Sequence, residues 1–362
     1  MALSARPSLN WLLVFLPAAA GLHYFAPEHH AATFVCACLA IVPLAGLLGR
    51  ATGHLADKTG AGVGGLLNAT FGNAAELIIA LAALRSGLYD VVKASITGSI
   101  IGNLLLVLGA AFLVGGLRRP TQKFNAVGVS AQASSLTLAA IALVLPAAFH
   151  YLGGARAASK EVGLSLEISL VLLATYAFSL WFSLKTHKHL FAGRPGEAKG
   201  VEGRGHRAWT TGRSVSVLAI STALVAWVSE ILVASVVPAA QAFGMTGVFV
   251  GIIVVAIIGN AAEHSTAVLA AWNNRMDLAI GIAMGSSLQI ALFVAPVLVL
   301  ASFFLGPSPT DLVFTPAEVL AVVLSVVIAN QVTADGESNW LEGVQLLSVY
   351  LILGAVFYFL PA

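Results

Sequence analysis

Long apolar runs separated by short polar breaks dominate the chain. A helix needs about 20 mostly apolar residues to cross the hydrocarbon core of a bilayer. On that scale eleven runs read as spans: 11–25, 31–49, 62–85, 93–116, 124–149, 163–183, 214–238, 246–272, 278–304, 315–333 and 341–360. The pattern predicts an all-α polytopic membrane protein of about eleven transmembrane helices. The first run is short and glycines interrupt the third. The first also has the shape of a signal sequence, an apolar stretch after Arg6, but beside so many further spans it reads as a first transmembrane helix.

Composition agrees with this. Of 362 residues, 59% are hydrophobic and only 9% are charged, against about 25% charged in a soluble domain. The net charge of +2 and the absence of a basic patch give no sign of nucleic-acid binding. Cys36 and Cys38 stand two apart in one apolar run, so they point away from each other on a helix and read as small buried hydrophobes.

The basic residues orient the chain. With the N-terminus inside, Arg6, Arg50, Lys58, Arg118, Arg119, Lys123, Arg275 and the seven basic residues between 185 and 213 are cytoplasmic. Only Arg85, Lys93, Arg156 and Lys160 fall outside. This bias follows the positive-inside rule and places the N-terminus in the cytoplasm and the C-terminus outside.

The polar residues inside the apolar runs carry a second pattern. "GNAAE" occurs at 72–76 and again at 259–263, an offset of 187 residues. In that register Asp90 meets Asp277, Gly98 meets Gly285 and Ser99 meets Ser286. Asn, Glu, Asp and Ser agreeing without a gap mark an internal repeat. The chain then divides into an extra N-terminal helix (1–30), a five-helix repeat (31–183), a polar linker (184–213) and a second five-helix repeat (214–362). Five spans is an odd number, so the second repeat enters the membrane from the opposite side. Such inverted repeats recur in secondary transporters, with the ion site at the midplane where the halves meet.

Glu76 and Glu263 lie within predicted spans, where a charge costs about 2.5–3.5 kcal/mol and marks a functional site by default. Protonated glutamates that merely join helices are the alternative, weakened by the duplication. Asn73 and Asn260 stand three residues before them on the same helix face. Gly72, Gly259 and the alanines between let two such helices approach closely. A local break there would also free backbone carbonyls. The donors are then all oxygen, with Ser99 and Ser286 as further candidates. Ca2+ takes 6–8 oxygens in flexible geometry, whereas Mg2+ gives up its water reluctantly. The lack of thiolates argues against zinc or copper. Two facing carboxylates in a poor solvent hold protons, and a bound divalent cation displaces them. Cation and proton thus compete for one site.

His264 follows Glu263, where the first repeat has Leu77; it reads either as a packing histidine or as a proton carrier. Glu230, Glu318, Asp335 and Glu337 are candidate accessory acids, the last two in "ADGESNWLEG" on the predicted cytoplasmic side. "GAGVGG" at 60–65 fits a dinucleotide fingerprint, but it opens a membrane span with no strand before it. "NAT" at 68–70 fits a glycosylation acceptor yet lies in the membrane. No nucleophile–base set suggests an enzyme, and no cofactor is called for.

The stretches "NATFGNAAELI", "GLYDVVKASITGSIIGNLLLVLG", "GNAAEHSTAV", "NRMDLAIGIAMGSSLQIALFVAPV" and "DGESNWLEG" resemble the calcium/cation antiporter superfamily, in its Ca2+/H+ exchanger branch. The resemblance implies ten core helices in two inverted repeats plus one extra helix. It implies that Glu76 and Glu263 bind Ca2+ beside Asn73, Asn260 and the backbone near Gly72 and Gly259. It also implies that Ser99, Asn103, Ser286 and Gln289 line the path. Sodium-coupled members carry hydroxyl-rich motifs ending in Pro-Glu; "GNAAE" has neither hydroxyl nor proline, which favours protons as counter-ion. The basic linker departs from the acidic segment common in this branch. The expectation is a proton-coupled Ca2+ antiporter in the lipid bilayer, in a bacterial inner membrane, with Ca2+ as substrate. Exchange of another divalent cation such as Mn2+, or a Ca2+-permeable channel, would use the same carboxylates.

Overall fold

The computed structural model describes residues 9–188 and 209–360; most of the 184–213 linker and its charges lie outside them. We label the helices α1 (Leu9–Phe25), α2 (His30–Phe71), α3 (Ala74–Arg85), α4 (Tyr89–Gly116), α5 (Ala126–Gly153) and α6 (Glu161–Thr186). The second half holds α7 (Thr211–Ala242), α8 (Gly247–Gly259), α9 (Ala261–Trp272), α10 (Met276–Leu305), α11 (Pro316–Val332) and α12 (Trp340–Phe359).

The protein is a polytopic helical membrane protein, but the predicted count of eleven spans is not met by length and apolarity. Among the described residues seven helices qualify outright: α2 over His30–Thr59, α4, α5, α6, α7, α10 and α12. The pair α8–α9, bent by 61° at Asn260, makes an eighth candidate. Helices α1 and α11 are apolar but shorter than a span requires. The third predicted span has no separate start, because its first part continues α2. That helical run nevertheless reverses: a Cβ on Gly64 would land on the Ala56 carbonyl. Eight residues along a straight helix would be about 12 Å apart.

The repeat register is visible in the backbone. Shifting α3 (Ala74–Arg85) by 187 residues lands on α9 (Ala261–Trp272). The π-helical stretches Gly102–Val107 and Ile290–Val294 end at the same register position. Gly87 and Asn274, also in register, both take positive φ, at 74° and 60°. They turn the chain from α3 into α4 and from α9 into α10.

Helices meet through small residues, as expected where lipid gives no hydrophobic drive to association. A Cβ on Gly98 of α4 would stand 2.5 Å from the Ile252 Cα of α8, and one on Gly251 would stand 2.6 Å from the Ala94 Cβ. This backbone-to-backbone crossing sets Ser99 beside Asn260. One buried cluster centres on α4, α9 and α10, and a second joins α2 to α7.

Loops from corresponding places hold the ends of α3 and α9. Past α9, the Arg118 guanidinium lies 3.4 Å from the Trp272 ring centre, and Gln122 Nε2 donates to the Ala271 carbonyl (3.0 Å) and Asn274 Oδ1 (2.9 Å). Past α3, the Tyr89 hydroxyl donates to the Ser308 carbonyl (2.7 Å) and accepts from the Ser308 N–H (2.8 Å). A short antiparallel ribbon, β1 (Gln122–Lys123) with β2 (Glu337–Ser338), ties the loops before α5 and α12 together.

Candidate cation site

Each "GNAAE" copy breaks a helix at its Asn. Asn73 (φ −102°, ψ 28°) and Asn260 (φ −91°, ψ 4°) leave helical geometry and restart it one residue later. A helix end leaves its last carbonyls without intrahelical donors; at the second break the Ala256 carbonyl accepts from the Asn260 N–H at 3.2 Å and from its side chain. Glu76 and Glu263 sit in the first turns of α3 and α9, where the helix dipole favours a carboxylate.

The two copies are interlocked. A Cβ on Gly259 would lie 3.2 Å from the Glu76 Cγ and 3.5 Å from its Oε1. A Cβ on Gly72 would lie 3.7 Å from the Glu263 Oε1 and 3.1 Å from the Gln289 Oε1. Each carboxylate therefore rests against the glycine of the other repeat. The asparagines cross over as well. Asn73 Oδ1 accepts from Ser286 Oγ (2.7 Å), and Asn260 Nδ2 donates to Ser99 Oγ (3.0 Å) and to the Ala256 carbonyl (2.9 Å). Both asparagines and both serines are buried.

The acceptor balance of this ring is the decisive feature. Glu76 Oε2, Glu263 Oε2 and Asn260 Oδ1 are buried and have no hydrogen-bond donor. Such atoms are costly to leave unpaired, and the donor they call for is a proton or a cation. Among the described residues no three His, Cys, Asp or Glu side chains cluster as a metal centre. A cation here would draw on two carboxylates, amides, hydroxyls and carbonyls, a set that suits Ca2+ better than zinc.

Gln289 breaks the symmetry. It accepts from Asn73 Nδ2 at 2.6 Å, while its register partner is Gly102, whose Cβ position is open space. His264 is half-buried one residue past Glu263 and lies outside the hydrogen-bonded ring. Asn103 is buried in the π-helical stretch of α4 with Nδ2 unpaired, also outside the ring.

The accessory acids are all spoken for elsewhere. Glu230 pairs with Arg85 at 3.3 Å on an exposed surface. Glu318 is buried but satisfied: it closes a capping box with Thr315 at the start of α11 and accepts from Thr97 Oγ1 at 3.1 Å. Asp335 accepts from the Glu337 N–H, and Glu337 pairs with Lys123 at 2.9 Å. None of the four joins the ring. Sequence reasoning missed the role of Ala256 as a ring acceptor, because a backbone carbonyl carries no residue signature.

The sodium/calcium exchanger protein family matches residues 29–185 and 213–359. The chain belongs to this family. A Ca2+/H+ antiporter of Aphanothece halophytica is 44% identical over 97% of this chain and 96% of its own length. The Ca2+/H+ antiporter ChaA of Bacillus subtilis is likewise 44% identical, over 91% and 93%. Among solved structures, native YfkE superposes with a TM-score of 0.80 at 40% identity, covering 96% of this chain and all of that one. An H+/Ca2+ exchanger, CAX, shares the fold at a TM-score of 0.70 and 14% identity.

Proposed function

We propose that this membrane protein exchanges Ca2+ for protons by alternating access, with Glu76 and Glu263 as the shared site. One observation carries the reading. Two carboxylates from equivalent helix breaks face the opposite repeat, and each has a buried oxygen without a donor. Protons satisfy both oxygens when the site holds no cation, and a divalent cation satisfies both at once when it enters. Loading with Ca2+ expels the protons and loading with protons expels Ca2+, so neither ion crosses without the other. The relatives named Ca2+/H+ antiporters support Ca2+ and H+ as the exchanged pair.

Asn73, Asn260 and the backbone at Gly72 and Gly259 complete the site in this reading. Ser99 and Ser286 orient the asparagines, and Gln289 adds an amide from the second half. His264 and Asn103 act on the route rather than at the site. The halves 31–183 and 214–362 are inverted repeats in a bacterial plasma membrane, with the N-terminus in the cytoplasm and the C-terminus outside.

The test is a Ca2+ titration of the purified protein in weakly buffered detergent solution with a pH indicator. Ca2+ binding releases protons in the wild type, and Glu76→Gln and Glu263→Gln reduce both signals together. Binding of Ca2+ without proton release contradicts the competition.

A further inference from the structure

Two recesses meet at Ser95, and the first of them reaches Glu76. The first is lined by Glu76, Ser95, Ser99 and apolar residues of α3, α4, α8 and α10. The second shares Ile79, Ala80, Ser95 and Val255 with it and continues past Ala83 and Val91 to Leu232 and Val236 of α7. Together they form one crevice from Glu76 toward the end of α3 that carries Arg85. Its walls are almost wholly apolar. Among the described residues lining the second recess, Ser95 alone bears a polar side chain.

Ser95 is placed to receive a cation. It lies four residues before Ser99 on α4, so both hydroxyls share one helix face. Its Oγ donates to the Val92 carbonyl at 2.9 Å, which spends its hydrogen and leaves its lone pairs to accept. Ser99 Oγ in turn accepts from Asn260, within the ring. A partly dehydrated divalent cation descending the crevice meets the Ser95 oxygen, then Ser99, then Glu76. The second repeat has no equivalent, because the residue in register with Ser95 is Ile282.

We infer that Ser95 is a relay ligand on the cation route to Glu76, and that this route belongs to the first repeat alone. The inference rests on the proposed exchange of Ca2+ at Glu76 and Glu263, and it assigns a step before that site.

The test replaces Cys36 and Cys38 with alanine and introduces Ser95→Cys or Ile282→Cys into the full chain. A cationic methanethiosulfonate reagent then reports access. The reagent modifies the Ser95→Cys protein, and Ca2+ at ten times its Kd slows modification about elevenfold, the factor expected if the occupied fraction is closed. The Ile282→Cys protein stays unmodified. In proteoliposomes Ser95→Val slows exchange about tenfold while Ser95→Thr, which restores the oxygen, exchanges at the wild-type rate. Modification that ignores Ca2+, equal modification of Ile282→Cys, or a wild-type rate in Ser95→Val overturns the relay while Glu76→Gln and Glu263→Gln remain inactive. Active Glu76→Gln and Glu263→Gln proteins would instead overturn the reading on which it rests.

Discussion

Gly98→Ala and Gly285→Ala make the same chemical change at register-equivalent positions, yet their surroundings predict opposite outcomes. At Gly98 the new methyl would lie 2.5 Å from the Ile252 Cα and 2.7 Å from its carbonyl carbon. Carbon atoms settle about 3.5 Å apart or more, and backbone cannot swing aside, so α4 and α8 must part by roughly 1 Å. Overpacking of this kind costs about 1–3 kcal/mol, while the gain from removing a helical glycine returns about 0.5–1 kcal/mol. At Gly285 the nearest atom is Gln132 Nε2 at 3.9 Å, so only the gain remains. Thermal unfolding in detergent, followed by size-exclusion fluorescence, measures both. Gly98→Ala loses several degrees of Tm, and Gly285→Ala keeps or raises it. The parting also stretches the 3.0 Å Asn260–Ser99 bond beyond hydrogen-bond range, so Gly98→Ala binds Ca2+ more weakly even where it stays folded. An unchanged Tm and Ca2+ affinity in Gly98→Ala, or equal damage in Gly285→Ala, would refute the crossing.

Gln289→Leu removes the acceptor 2.6 Å from Asn73 Nδ2; an unpaired buried donor costs about 1–3 kcal/mol, and isothermal titration should show Ca2+ affinity falling tenfold or more. Glu318→Ala removes the N3 acceptor of the α11 capping box and the partner of Thr97 Oγ1, a loss of about 1 kcal/mol or more that should lower Tm with Ca2+ Kd unchanged. Glu230→Gln cuts only the exposed pair with Arg85, worth no more than about 1 kcal/mol, and should leave exchange rates at the wild-type level. Acid opposes binding because carboxylates must be deprotonated to hold a cation. Where two protons compete with Ca2+, the apparent Kd rises up to about a hundredfold per pH unit lost, and about tenfold in Glu263→Gln. A Kd independent of pH would contradict shared occupancy.

How far the sequence reached depends on the kind of signal. The pairing of Glu76 with Glu263 was legible because the same polar residues recur 187 positions apart in apolar surroundings. The breaks at Asn73 and Asn260 followed from the same motif. The span count was less legible. Apolarity does not show that the helical run of α2 turns back near Gly64 and continues to Phe71, nor that α11 stops at 17 residues. The accessory acids were hard to place for a different reason: a carboxylate in an apolar run looks alike whether it caps a helix, as Glu318 does, or binds a cation. Only the positions of Thr315 and Thr97, brought together by folding, separate the two. Ser95 was invisible because a lone serine in a helix has no signature until a crevice opens beside it.

Whether one pair of carboxylates exchanges Ca2+ for protons is read from flux in proteoliposomes with an imposed pH gradient. Calcium uptake and proton countermovement are measured together. Both appear in the wild type, both collapse when the pH gradient is dissipated, and both vanish in Glu76→Gln and in Glu263→Gln. Calcium flux that persists without proton countermovement, or full exchange in either variant, would contradict it.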